Sequence, residues 1–227
     1  MLLGVGVVAT TLFAAPLGPT LRRPSEAYAE AAPPKRVQPT STVISKGFRE
    51  LVHRRAIGIT PAEADEVVRV VLASAESTGV DPLLLVSLIE VESSYRAGVV
   101  SRAGAIGLMQ IAPITGVHVA RRNEIAWLGP DALFDATTNV EVGARYFVEL
   151  VERFRDIETV LEAYNIGPEK VAERRAAGDP VATGPFAQRV MAVYRSVRSQ
   201  WGEREMLSYF GRLWQIEGPS ASIEISL

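Results

Sequence analysis

Apolar residues recur at helical spacing through most of the chain, and no stretch alternates over the length that a sheet needs. The first well-marked helix opens at Thr60-Pro61 with Glu63 behind it, an N-cap, a proline at the first helical position and a capping-box partner. It should run to about Ser77, with Gly79 placed to end it. Asp81-Pro82 repeats the start signal. Further helices are predicted over about 138–155, 157–165, 168–177 and 185–201. Only the Gly-rich stretch after Arg96 has the composition of a small hairpin. The predicted class is mostly α with at most that hairpin.

The flanks read differently. Residues 2–15 form an apolar segment too short for a spanning helix, and Ala27-Tyr28-Ala29 has small residues where a leader peptidase would cut. Residues 1–29 are therefore expected to be an export signal or an uncleaved N-terminal anchor, placing the protein in the periplasm or cell envelope. Residues 30–59 read as a Pro-rich linker, with a short helix around Phe48, Leu51 and Val52 that would pack on the main domain or meet an anionic envelope. A helical domain is expected over 60–202, and an amphipathic helix and tail over 203–227. In that tail Met206, Phe210, Leu213 and Trp214 form a stripe. It would pack on its own domain or dock on envelope protein or membrane.

Composition narrows the chemistry. With 48% apolar and 22% charged residues the chain is globular, and a net charge of −2 supplies no field for nucleic acid. It has no cysteine, so disulfides and thiolate metal sites are excluded. His53 and His118 stand apart without ligand spacing and read as ordinary surface residues. No metal and no cofactor is expected, and the protein is expected to be a monomer.

Two glutamates, Glu90 and Glu92, end the apolar run that starts at Leu83. At about 100° per residue, Glu92 falls inside the stripe of Leu85, Leu88 and Ile89, whereas Glu90 falls on the face expected to meet water. A carboxyl at an apolar wall holds its proton toward neutral pH, as a general acid requires. The wheel alone leaves open whether Glu92 does this or bends out to solvent. The small residues that follow, Ser101, Gly104 and Gly107, would let a ligand approach the backbone, and Gln110 offers both a donor and an acceptor. A tight turn would use the same glycines.

The ordered motifs "EVESSY", "SRAGAIGLMQIAP", "DATTNVEVGARYF" and "AYNIGPEKV" resemble the soluble lytic transglycosylase (SLT) domain of the lysozyme-like superfamily over about residues 61–200. The resemblance implies a helical, exported enzyme acting on peptidoglycan glycan strands. It would cut the β-1,4 bond between N-acetylmuramic acid and N-acetylglucosamine and leave a 1,6-anhydro end. It places the catalytic glutamate on Glu92 and substrate contacts on Ser101, Gly107, Met109, Gln110, Tyr164 and Asn165. Asn139, Gly143 and Tyr146 match a helix used mainly for structure.

The resemblance has departures. Ala112 stands where a second methionine is common, and Ala182 and Phe186 replace an acid and a tyrosine near the domain's end. One carboxyl is enough if the attacking oxygen belongs to the substrate, whereas hydrolysing glycosidases usually need two. Asp81 lies about two turns back along the helix and Glu162 faces away from Leu161 and Tyr164. Two rival readings remain: a muramidase of the same fold that uses water, and a peptidoglycan-binding module with little catalysis.

Overall fold

The computed structural model describes residues 44–178 and 184–201. The leader, the linker up to residue 43, Ala182 and the C-terminal stripe lie outside the described residues. Among the described residues eight α-helices follow one another: α1 (Ile44–Arg55), α2 (Pro61–Thr78), α3 (Pro82–Ser93), α4 (Pro113–Arg122), α5 (Ala136–Phe154), α6 (Ile157–Ile166), α7 (Pro168–Ala176) and α8 (Pro185–Trp201), with a 3-10 turn at Pro130–Phe134 before α5.

The capping chemistry acts as expected. Glu63 donates its backbone N–H to Thr60 Oγ1 at 3.3 Å, and the Thr60 N–H returns a bond to Glu63 Oε2 at 2.7 Å. Gly79 closes α2 in the left-handed region at φ 73°, which costs glycine little. Asp81, Asp135 and Asp156 cap α3, α5 and α6 through their carboxylates. The sequence reading missed α4 and the 3-10 turn. α4 starts without a side-chain cap and buries only Gly116, Val119 and Ala120, too narrow a stripe to stand out.

α3 is the axis of the domain. Every residue from Pro82 to Ile89 is buried, so this helix is covered all round instead of along one stripe. α8 and α2 pack against it, and α1 packs on both of these. Phe48, Leu51 and Val52 of α1 are part of the same core, and the Phe48 ring meets Trp201 edge-on at 5.7 Å and 67°. The short helix expected before residue 60 therefore belongs to the domain.

The expected hairpin is reduced to isolated antiparallel bridges, Val100 with Ile106 and Ile106 with Ile111. Side-chain clamps do the work of a ladder there. Asn139, fully buried on α5, accepts the Met109 N–H at 2.8 Å and donates to the carbonyls of Ile106 and Leu133 at 2.9 and 2.8 Å.

Candidate active site

α3 ends in a turn that few sequences tolerate. Ser94 and Tyr95 are both left-handed, at φ 51° and 65°, and neither is glycine. Each such residue costs about 1–2 kcal/mol, so neighbouring contacts must hold the turn. Glu92 sits in the last turn before this bend, half-buried, and its carboxyl has no hydrogen-bond partner among the described residues. Burial pushes it from its ordinary 4.5 up to about 7, and the positive charge of Arg189 on α8 acts in the opposite direction. Near neutral pH a substantial share of the molecules carry this proton.

Its neighbours arrive from three elements. From α6 comes Tyr164, buried, with its ring in tilted contact with Tyr146 and Phe147 at 5.4 and 6.5 Å and stacked on Phe186 at 6.5 Å and 3°. Its hydroxyl donates to the Met109 carbonyl at 2.8 Å. Burial, the charge of Glu92 and then Tyr146 keep this phenol protonated far above its usual range. From the loop comes Gln110, left-handed at φ 48°, whose Nε2 donates to the carbonyls of Val99 and Gly107 at 3.1 and 2.9 Å. Its Oε1 accepts nothing from the described residues. From α8 comes exposed Arg189, one turn after Phe186 and unpaired among the described residues.

The expected contact residues divide into two groups. The charge of Glu92 acts on Tyr164, whose hydroxyl bonds the carbonyl of Met109 next to Gln110, and Asn165 is exposed beside Tyr164. Ser101 is half-buried and uses its hydroxyl within the loop, accepting the Ala105 N–H at 3.0 Å. Gly107 and Met109 are buried and closely packed. A Cβ at Gly107 would lie 2.2 Å from Asn139 Nδ2 and 2.5 Å from the Leu133 carbonyl, so this glycine exists for packing and for its φ of 82°. Met109 is fully buried, its sulfur filling the gap above Gly143. What it presents toward the site is its carbonyl, through Tyr164.

Other expectations are corrected as well. Glu90 does not face water: Arg55 donates to its two oxygens at 2.7 and 2.6 Å, and the Tyr95 hydroxyl to one of them at 3.0 Å. The covered surroundings of α3 explain this, because a wheel distinguishes faces only where one face is solvated. Glu162 is buried and accepts the Gly184 N–H at 2.8 Å. His53 is half-buried against Asp65 at 2.6 Å, within an ion pair that also holds Arg49. Asp81 caps α3 and accepts the Tyr194 hydroxyl at 2.6 Å. Sequence reasoning overlooked Arg189; its spacing of three from Phe186 on one helix face was the available signal.

The profile of the Transglycosylase SLT domain matches residues 69–180. The chain carries a segment that matches the SLT domain. A transglycosylase of Enterobacteria phage PRD1 is 33% identical over 95 residues, 42% of this chain and 32% of that protein. The membrane-bound lytic murein transglycosylase C of Haemophilus influenzae (strain PittEE) is 31% identical over 108 residues, 41% of this chain and 29% of its own. The endo-type membrane-bound lytic murein transglycosylase A of Klebsiella pneumoniae (strain 342) is 40% identical over 72 residues, 30% of this chain and 34% of its own. The chain thus spans about a third of the length of these relatives. Among solved structures, the 70-kDa soluble lytic transglycosylase in complex with bulgecin A aligns with a TM-score of 0.53 at 18% identity, covering 78% of this chain and 40% of that one. That likeness concerns the fold alone, a helical arrangement shared over most of this chain.

Proposed function

We propose that this SLT-like domain is a peptidoglycan lytic transglycosylase, cutting the β-1,4 bond between N-acetylmuramic acid and N-acetylglucosamine with Glu92 as acid and then base. The observation that carries the reading is the state of Glu92: a half-buried carboxyl without a hydrogen-bond partner among the described residues, its proton affinity raised to about 7. Such a group can give a proton to the glycosidic oxygen and afterwards, as a carboxylate, take one back.

In this scheme Glu92 protonates the leaving oxygen, and the sugar's N-acetyl carbonyl steadies the positive charge that develops at C1. Glu92 then removes the proton of the C6 hydroxyl, which closes on C1 as the 1,6-anhydro ring. Tethering gives that hydroxyl an orientation advantage and removes the need for a second protein carboxylate. Gln110 Oε1 is available to accept an amide N–H, and Arg189 to steady the carboxylate that Glu92 becomes. Ser101, Gly107 and Met109 shape the loop that presents Gln110. The substrate reading places the protein at the cell envelope, in keeping with the apolar leader.

Digestion of purified sacculi with mass spectrometry of the released fragments tests this. The expected products end in anhydromuramic acid, lighter by one water than reducing ends, and Glu92→Gln releases none. Reducing ends would assign the site to a hydrolase instead. Binding to sacculi without release would make the domain a binding module.

A further inference from the structure

Glu90 lies two residues before the proposed acid and is held by three side-chain hydrogen bonds. Arg55 reaches it from α1 with a two-pronged grip, Nε to Oε2 at 2.7 Å and Nη2 to Oε1 at 2.6 Å. The Tyr95 hydroxyl donates to Oε2 at 3.0 Å from beyond the end of α3, and Arg55 Nη1 also reaches Ser196 Oγ of α8 at 3.4 Å. The pair is largely shielded, with 18% and 23% of the two side chains exposed. Planar pairing of this kind fixes orientation as well as charge.

Two consequences follow for the end of α3. The left-handed turn at Ser94 and Tyr95 is tied back to the helix it leaves, because the Tyr95 side chain bonds a residue five positions upstream. In addition, the charge of Glu90 is balanced by Arg55. The raised proton affinity of Glu92 accordingly comes from burial, with the charge of Arg189 acting against it, and Glu90 is not among its causes. We propose that Arg55 and Glu90 are positioning residues for the reaction assigned to Glu92, locking the turn that carries it and keeping the neighbouring carboxylate electrically silent. α1, which precedes the matched SLT segment, thereby becomes part of the working site.

The charged and titratable groups around Glu92 are Arg189 from α8, Tyr164 from α6, and this pair from α1 and α3. If the pair is silent, removing one member exposes the other. Arg55→Gln leaves a bare carboxylate and should raise the titration midpoint of Glu92. Glu90→Gln leaves a bare guanidinium and should lower it. Each shift should be about half a pH unit. The double variant should return to the wild-type midpoint. The proposal rests on Glu92 being the proton donor, so the midpoint is best followed by carbon NMR of labelled glutamate on the full chain, alongside muropeptide release. Well below the midpoint, where Glu92 is protonated in every variant, kcat on a glycan fragment should still fall severalfold in each single variant with KM unchanged.

Opposite shifts that cancel in the double variant support the assignment, even if no muropeptide is released, in which case the activity reading alone falls. Release of anhydro products with unmoved midpoints, or with both midpoints moving the same way, overturns it. Should Arg55→Gln fail to fold, the near-isosteric Glu90→Gln decides by its direction alone, and a midpoint that stays or rises sinks the proposal.

Discussion

Replacing Glu92 by glutamine keeps the side chain's size and removes its charge, so the structure makes a quantitative demand on that variant. In the folded chain the carboxyl titrates near 7 instead of its ordinary 4.5, chiefly through burial. Between those two values the folded protein holds a proton that the unfolded chain has already released. The stability this group supplies is therefore present below 4.5, is lost progressively as the pH rises to about 7, and stays lost above it. A displacement from 4.5 to about 7, at about 1.4 kcal/mol per pH unit, corresponds to about 3 kcal/mol. That is a ceiling, because Glu92 is only half-buried and water screens its exposed side. Glutamine has no such loss.

Glu92→Gln should thus match the wild type in stability near pH 4 and exceed it by up to about 3 kcal/mol at pH 8. For a domain of this size that is a rise in melting temperature of roughly 5–10 °C. Thermal or urea unfolding of both proteins across the range reads the difference directly, and titrations elsewhere in the chain cancel in the comparison. At the same time the variant should release no muropeptides at any pH. A glutamine variant that melts with or below the wild type at pH 8, or a gap that does not widen with pH, would refute the electrostatic account of the site.

Arg189→Gln removes the charge that holds the Glu92 carboxyl down, so the alkaline limb of the pH–activity profile should move to higher pH; a limb that stays or moves down denies Arg189 this role. Asn139→Ala leaves the Met109 N–H and the carbonyls of Ile106 and Leu133 without their clamp in a dry interior. It should cost roughly 3 kcal/mol or more in urea unfolding. Tyr164→Phe frees the Met109 carbonyl and should cost about 1–2 kcal/mol, with a larger fractional loss of kcat than of binding, read on a soluble glycan fragment.

Legibility in the sequence followed the physics of each element. α2 and α3 announced themselves because Thr60, Glu63, Asp81 and the prolines behind them act over one helical turn, a distance at which sequence and space coincide. Glu92 could be singled out because the apolar stripe it continues, Leu85, Leu88 and Ile89, belongs to its own helix. Glu90 was misread for the complementary reason. Its partner Arg55 lies 35 positions upstream, and nothing in a wheel reports that α1 covers that face. Met109 and Gly107 carried motif weight, but their packing against Gly143 and Asn139 depends on α5, some thirty residues on. Arg189 acts on Glu92 across a still longer loop, and only the later stacking of Phe186 on Tyr164 locates its helix face.

The treatment of the other acids is what gives Glu92 its meaning. Three other acids, Glu90 and Asp81 at the two ends of the central helix and Glu162 on α6, are each provided for. Glu90 is gripped by Arg55 and Tyr95, Asp81 accepts the Leu83 N–H and the Tyr194 hydroxyl, and Glu162 accepts the Gly184 N–H. Buried polar groups are ordinarily satisfied in this way, because an unmet one costs folding free energy. A leucine at 92 would continue the apolar surroundings of α3 without that cost. The chain instead keeps a carboxyl there, within electrostatic reach of Tyr164 and Arg189, and gives it no hydrogen bond among the described residues. A half-buried carboxyl kept without a hydrogen bond, beside three acids that have one, is better explained by the proposed proton transfer than by packing.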